Sequence, residues 1–109
     1  MRISPEITFR NLEPTDALRN TIQKKVADLD RHAGGLIACR VAVEAPHRRH
    51  RHGNIYRVRV DVSVPGEELV AGKAVAKDGA HEDLYVAIRD SFRAVRREVL
   101  GFIGRRRDR

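Results

Sequence analysis

Arg89, Arg93, Arg96 and Arg97 follow one another at spacings of four, three and one. On a helix turning roughly 100° per residue, that spacing gathers four guanidinium groups along one flank of an apolar face. A guanidinium is a planar fork of donors that can grip a phosphate through two parallel hydrogen bonds. A row of them is suited to holding a polyanion. The acids of the same segment, Asp90 and Glu98, fall on the opposite flank. A helix made only for solubility usually interleaves its charges. The chain then continues into Gly104-Arg105-Arg106-Arg107, which would add salt-sensitive, nonspecific attraction. These residues read first as a nucleic-acid surface. Their phosphate contacts would position a nucleic acid without reading its sequence.

A second basic cluster is the stretch Pro46-His47-Arg48-Arg49-His50-Arg51-His52-Gly53. Arg48, Arg49 and Arg51 can extend the phosphate surface, with His50 or His52 gaining charge on binding. A solvated loop that orders only on binding fits the composition equally well. A metal site does not, because no carboxylate or thiol lies nearby and the flanking arginines repel a cation. Arg57 and Arg59 can extend the basic surface or pair with acids across strands. Tyr85 can stack on a base, but its position on the helix borders the apolar face and favours partial burial.

Catalysis is hard to build from these residues. Ser4, Ser63 and Ser91 have no matching His/Asp arrangement, and Cys39 alternates with Ile37, Val41 and Val43 as a buried strand residue would. There is no glycine-rich phosphate loop, zinc signature or paired carboxylate. The expectation is a protein that is not an enzyme, needs no metal or other cofactor and has no small-molecule substrate. A lone cysteine allows no intrachain disulfide. No apolar run could span a bilayer, no signal-peptide pattern opens the chain, and the basic tail lacks the apolar residues of a membrane anchor. A cytoplasmic protein without a membrane partner is expected.

The chain has 109 residues and a net charge of +7, and where that charge sits is more informative than its size. Residues 86–109 carry eight arginines against three acids, and residues 47–52 carry three arginines. The remainder is close to neutral. Such local excess favours a polyanionic partner. The length and a hydrophobic content of 41% suit one domain with one modest core. That domain is placed at 1–104, with 105–109 as a short basic tail.

The elements that must position these side chains follow from the periodicity. Ile3 to Arg10 reads as a strand, with Pro5 marking an edge or a late beginning. Thr15 is an N-cap for a helix whose apolar stripe is Leu18, Ile22, Val26 and Leu29, ended by Gly34-Gly35. Its charges are mixed in sign around the wheel. Leu36 to Glu44 is a second strand. Asn54 to Val64 is the clearest, with Tyr56, Val58, Val60, Val62 and Val64 on one face and Arg57, Arg59, Asp61 and Ser63 on the other. Pro65-Gly66 is a turn into an antiparallel fourth strand at about 68–76. A last helix spans Asp83 to Ile103, with Leu84, Ile88, Phe92, Val95, Val99 and Phe102 as its core face. The order β-α-β-β-β-α, with one wet sheet face, predicts a two-layer α/β (α+β) sandwich: a four-stranded mixed sheet with both helices on one face.

This order, the Pro65-Gly66 turn, the opening Thr15-Asp16-Ala17-Leu18-Arg19 and above all His81-Glu82-Asp83-Leu84-Tyr85-Val86-Ala87-Ile88-Arg89-Asp90 resemble the ribosome hibernation-promoting factors. The same family includes the ribosome-associated translation inhibitors, formerly described as sigma-factor modulation proteins. The likeness spans about residues 3 to 100. It implies a fold similar to a double-stranded-RNA-binding domain. It also implies a stress-response protein, monomeric off the ribosome, that binds ribosomal RNA of the small ribosomal subunit in the mRNA/tRNA channel and inhibits translation. Carried over by position, the RNA-facing surface would include Arg89, Arg93, Arg96 and Arg97, with Lys24 and Lys25 on the first helix. The chain departs from the family in its His/Arg-rich loop and in a tail that is basic where the family's tails are acidic. No segment corresponds to the second, dimerising domain of the longer members. A generic structured-RNA binder, or an interaction module for an acidic protein partner, are the alternatives.

Overall fold

The computed structural model describes residues 4–33, 35–45, 56–65, 67–76 and 81–107, with the backbone alone along 67–76 and at residues 33, 81–83, 103 and 105–107. The elements are β1 (Glu6–Arg10), α1 (Asp16–Ala33), β2 (Ala38–Glu44), β3 (Tyr56–Val64), β4 (Glu67–Ala76) and α2 (His81–Arg107). The strands form one mixed sheet in the order β1-β2-β3-β4. β1 runs parallel to β2, with α1 as the crossover between them, and the other two pairings are antiparallel. α2 lies along β3 and β4, and α1 packs beside α2, so helices form one layer and the sheet the other.

Local chemistry accounts for most element boundaries. Pro5 cannot donate to a ladder, and β1 begins just after it, on the sheet edge. β1 is followed by Asn11 at φ 60°, a left-handed conformation that asparagine tolerates better than most residues. The Ala45 N–H donates to the Arg10 carbonyl at 3.0 Å and closes that end of the β1–β2 pair. Thr15 caps α1 as expected: its Oγ1 accepts from the Leu18 N–H at 3.1 Å. After α1, Gly35 takes φ 69°, a left-handed conformation that glycine adopts without steric cost. β3 and β4 pair antiparallel, with Val64 opposite Glu67, and Gly66 of the expected turn lies outside the described residues. The register slips between Val62 and Val64, so two β4 residues face one of β3, the signature of a β-bulge.

One apolar cluster holds the two layers together. Leu18, Ile22, Val26 and Leu29 come from α1, Cys39, Val41 and Val43 from β2, and Tyr56 to Val64 at every second position from β3. α2 contributes Leu84, Ile88, Phe92, Val95 and Val99 as its periodicity predicts, while Phe102 is only partly buried. The wheel overlooked Ala87 and Ser91, which are also buried on α2. Ser91 is satisfied there by donating its hydroxyl to the Ile88 carbonyl at 2.8 Å.

Two boundary expectations are corrected. Ile37 is not on the core face: it is 61% exposed, and Leu36 is buried in its place. The β2 ladder begins only at Ala38, so strand alternation does not extend back to residue 37; there the Ile37 N–H donates to the Ser63 carbonyl at 2.8 Å. The last helix does not end at Ile103 either, because α2 continues through Gly104 to Arg107. One glycine costs a helix about 1 kcal/mol, too little to stop a long one that is anchored by packing upstream.

Candidate nucleic-acid interface

α1 and α2 lie side by side, and a groove of about 230 Å³ runs between them. Its floor is apolar, with Leu29 and Phe92, both of which belong to the core. Its rim is basic: Lys25 from α1, and Arg89, Arg93 and Arg96 from α2, with Asp28 as the acid among the lining residues. A second, more open depression of about 510 Å³ lies on the outer side of α1, lined by Thr21, Lys24, Lys25, Ala27, Asp28 and Arg31. Lys25 and Asp28 line both, so the two depressions meet across the crest of α1. The packing of apolar stripes creates this surface. Burying Leu18, Ile22, Val26 and Leu29 turns Lys24, Lys25, Asp28 and Arg31 toward solvent, and burying Ile88, Phe92 and Val95 does the same for Arg89, Arg93 and Arg96.

The arginines of the molecule divide into those that hold an acid and those that do not. On the wet sheet face, Arg40 Nε lies 3.4 Å from Glu6 Oε2 and Arg57 Nη1 lies 3.9 Å from Glu44 Oε1, each pair directly opposed across neighbouring strands. Arg59 Nε donates to both carboxylate oxygens of Asp61, at 2.8 and 3.0 Å. Arg57 thus pairs across strands as expected, whereas Arg59 pairs with Asp61 along its own strand. On the helix face, among the described residues, Lys24, Lys25, Arg93, Arg96 and Arg97 make no ion pair within 4.0 Å. Arg19 lies over the Phe9 ring, 5.2 Å from its centroid.

The segregation of charge along α2 is less complete than the helical wheel predicts. Asp90 takes Arg89 Nη2 at 3.2 Å and Nε at 3.3 Å. Arg89 and Asp90 are chain neighbours, and a long arginine side chain reaches sideways beyond the direction of its own Cα–Cβ bond. Arg89 therefore lines the groove while already partnered. Arg97 is exposed but lines neither depression. Arg105, Arg106 and Arg107 lie on the last turns of α2. The loop arginines Arg48, Arg49 and Arg51, with the histidines between them, lie outside the described residues.

Sequence periodicity also missed two members of the surface. The mixed signs of α1 suggest an ordinary solvated helix, yet its Asp28 and Arg31 both line the outer depression. Arg31 Nη2 donates to Asp28 Oδ1 at 2.6 Å, and His32 Nδ1 lies 3.4 Å from the same oxygen. The Arg31 hydrogen bond, and after it the charges of His32, Arg31 and Arg96, hold the Asp28 carboxyl below its ordinary pKa. The spacing of Thr21, Lys24, Lys25, Asp28 and Arg31 along one face of α1 was the available signal.

Neither the thiol nor the buried hydroxyl is set up for nucleophilic chemistry. Burial in the core, with the nearby charge of Asp61 adding to it, pushes the Cys39 thiol up to about 12. Tyr85 is half-buried against the core. Among the described residues, no group of three His, Cys, Asp or Glu side chains could hold a metal ion, and no helix is long and apolar enough to cross a membrane.

The fold has solved counterparts. The N-terminal domain of Protein Y from Thermus thermophilus superposes with a TM-score of 0.70 at 29% identity, covering 94% of this chain and 99% of that one. A ribosomal subunit interface protein from Coxiella burnetii shares the fold, with a TM-score of 0.71 at 14% identity over 92% of this chain and 97% of its own. No curated protein sequence matches the chain. The pattern of one family, however, runs through residues 6–107, from the first residue of β1 to the last of α2. The likeness first visible in the segment His81 to Asp90 thus extends through every element, and the chain belongs to the Sigma 54 modulation protein / S30EA ribosomal protein family.

Proposed function

We propose that this protein is a ribosome-associated hibernation factor. It binds ribosomal RNA of the small subunit in the channel used by messenger and transfer RNA, and inhibits translation by occupying it. The observation that carries this reading is the set of helix cations that hold no acid: among the described residues Lys24, Lys25, Arg93, Arg96 and Arg97 make no ion pair within 4.0 Å, whereas Arg40, Arg57 and Arg59 on the sheet, like Arg31 and Arg89 on the helices, each hold one. Cations left without carboxylates along an interhelical groove are ready to take phosphates, and the counterions they release give binding its free energy and its salt dependence. Membership of a family described as ribosomal supplies the partner.

The mechanism is steric and electrostatic. Lys25, Arg93 and Arg96 at the groove, with Lys24 beside it and Arg97 on the outer face of α2, hold the RNA backbone. Arg89 joins them by exchanging Asp90 for phosphate. Arg105, Arg106 and Arg107 at the end of the same helix add nonspecific attraction, and Arg48, Arg49 and Arg51 add a second basic contact. Residues 1–104 act as a single ribosome-binding domain that is monomeric off the ribosome and works in the cytoplasm under stress. Exchange of Arg93 and Arg97 for glutamate tests the assignment: cosedimentation with small subunits should be lost while the circular dichroism spectrum is unchanged. Retained cosedimentation would remove α2 from the interface. Binding that survives nuclease treatment and persists with an acidic protein would instead favour a protein-interaction module.

A further inference from the structure

Asp28 is the one feature of the basic surface that a phosphate-binding role leaves unexplained. It lines both depressions, so a polyanion crossing the crest of α1 passes over it. Its Oδ1 is held by Arg31 Nη2 at 2.6 Å and approached by His32 Nδ1 at 3.4 Å, while His32 Nδ1 also donates to the Asp28 carbonyl at 2.8 Å. The charge of Arg96 reaches it from the neighbouring helix. A carboxylate and a phosphate present equivalent acceptor oxygens to a guanidinium. Asp28 thus sits on Arg31 where a phosphate oxygen would sit.

Three further observations make that seat available to a ligand. The Arg31 side chain is 76% exposed, so an incoming anion can reach it. Arg31 shares its depression with Lys24 and Lys25, neither of which makes an ion pair, so an anion drawn to the lysines arrives beside it. An exposed carboxylate–guanidinium pair is also weak enough to be exchanged. We propose that Arg31 is a further phosphate ligand of this surface, held by Asp28 in the free protein and passed to a backbone phosphate when RNA binds. The inference rests on the RNA-binding reading of the same helices. Asp28 then acts as an internal competitor that lowers affinity for any polyanion able to reach Arg31.

A double-mutant cycle tests this. Asp28→Asn, Arg31→Gln and the double variant are titrated against a fluorescent RNA duplex and against purified small ribosomal subunits, with folding checked by circular dichroism. Asp28→Asn should tighten duplex binding about two- to fivefold, the scale of an exposed pair. Arg31→Gln should weaken it, and the gain from Asp28→Asn should vanish in the Arg31→Gln background. Glu98→Gln, which removes the same charge from outside both depressions, should not reproduce the gain. An equal gain in both Arg31 backgrounds would overturn the proposal, because the carboxylate would then act only through overall charge. Unchanged or weaker binding by Asp28→Asn would overturn it too. If Asp28→Asn fails to fold, Arg31→Gln alone decides, since unaltered affinity would exclude Arg31 as a ligand. Failure of the unaltered protein to bind either RNA would instead bring down the RNA reading itself.

Discussion

Arg93 and Arg59 are chemically identical side chains with different free partners. Arg59 already donates to both oxygens of Asp61, whereas Arg93 stands at the groove with no ion pair among the described residues. A phosphate would have to displace a carboxylate from the first and only water from the second. Reversing Arg93 and Arg97 together should therefore weaken small-subunit binding by about tenfold or more and flatten its salt dependence, because two phosphate contacts are lost and two repulsions gained. Arg59→Gln should leave affinity within about twofold, since exposed pairs contribute little. Cys39 gives a prediction of a different kind. Its folded-state thiol pKa, about 12, is raised above the ordinary value of 9.0. The thiol stays protonated in the native state, so its stabilising contribution is intact below pH 9.0 and declines as pH rises from there toward about 12. Thiol labelling at pH 8 should accordingly be slow in the native protein and fast in denaturant; rapid native labelling would contradict the burial.

At the scale of elements, local rules that act alone were legible and those needing a neighbour were not. β3 alternates along its whole length because one face meets the helices and the other meets water, and period two records that directly. Thr15 and Pro5 mark the starts of α1 and β1 through a single hydrogen bond made and a single one forbidden. Thr15→Ala should cost about 1 kcal/mol, read as a shift in the urea midpoint. Ile88→Ala, in the middle of the α2 core face, should cost about 2–5 kcal/mol. Ile37 misled because alternation was extended past the point where the ladder begins. The end of α2 misled because the apolar periodicity stops at Phe102, while the helix itself runs on to Arg107. The Arg89–Asp90 contact was hidden because a helical wheel records where a side chain starts, not how far it reaches.

The whole molecule presents two unlike surfaces, and only their juxtaposition makes a site. Lys25 comes from α1 and Arg93 and Arg96 from α2, more than sixty residues apart in the chain, and helix packing brings them to one groove. The sequence allowed Arg93, Arg96 and Lys25 to be named, by stripe and by resemblance. The mixed charges of α1 concealed that Asp28 lines the groove and Arg31 the outer depression beside it, although their shared face of the helix was there to be read. The sheet face is different: Glu6, Glu44 and Asp61 hold Arg40, Arg57 and Arg59, so these three cations are already partnered. A protein built this way should meet a polyanion with its helices and leave its sheet toward solvent or a neighbour. The most direct test is sucrose-gradient cosedimentation of the unaltered protein and the Arg93→Glu, Arg97→Glu variant with small subunits at low and high salt, alongside cell-free translation. The unaltered protein should saturate near one copy per subunit, dissociate as salt rises and lower translation in step, while the variant should bind about tenfold or more weakly and lower translation correspondingly less. No binding at low salt, or equal binding and inhibition by both proteins, would contradict the account.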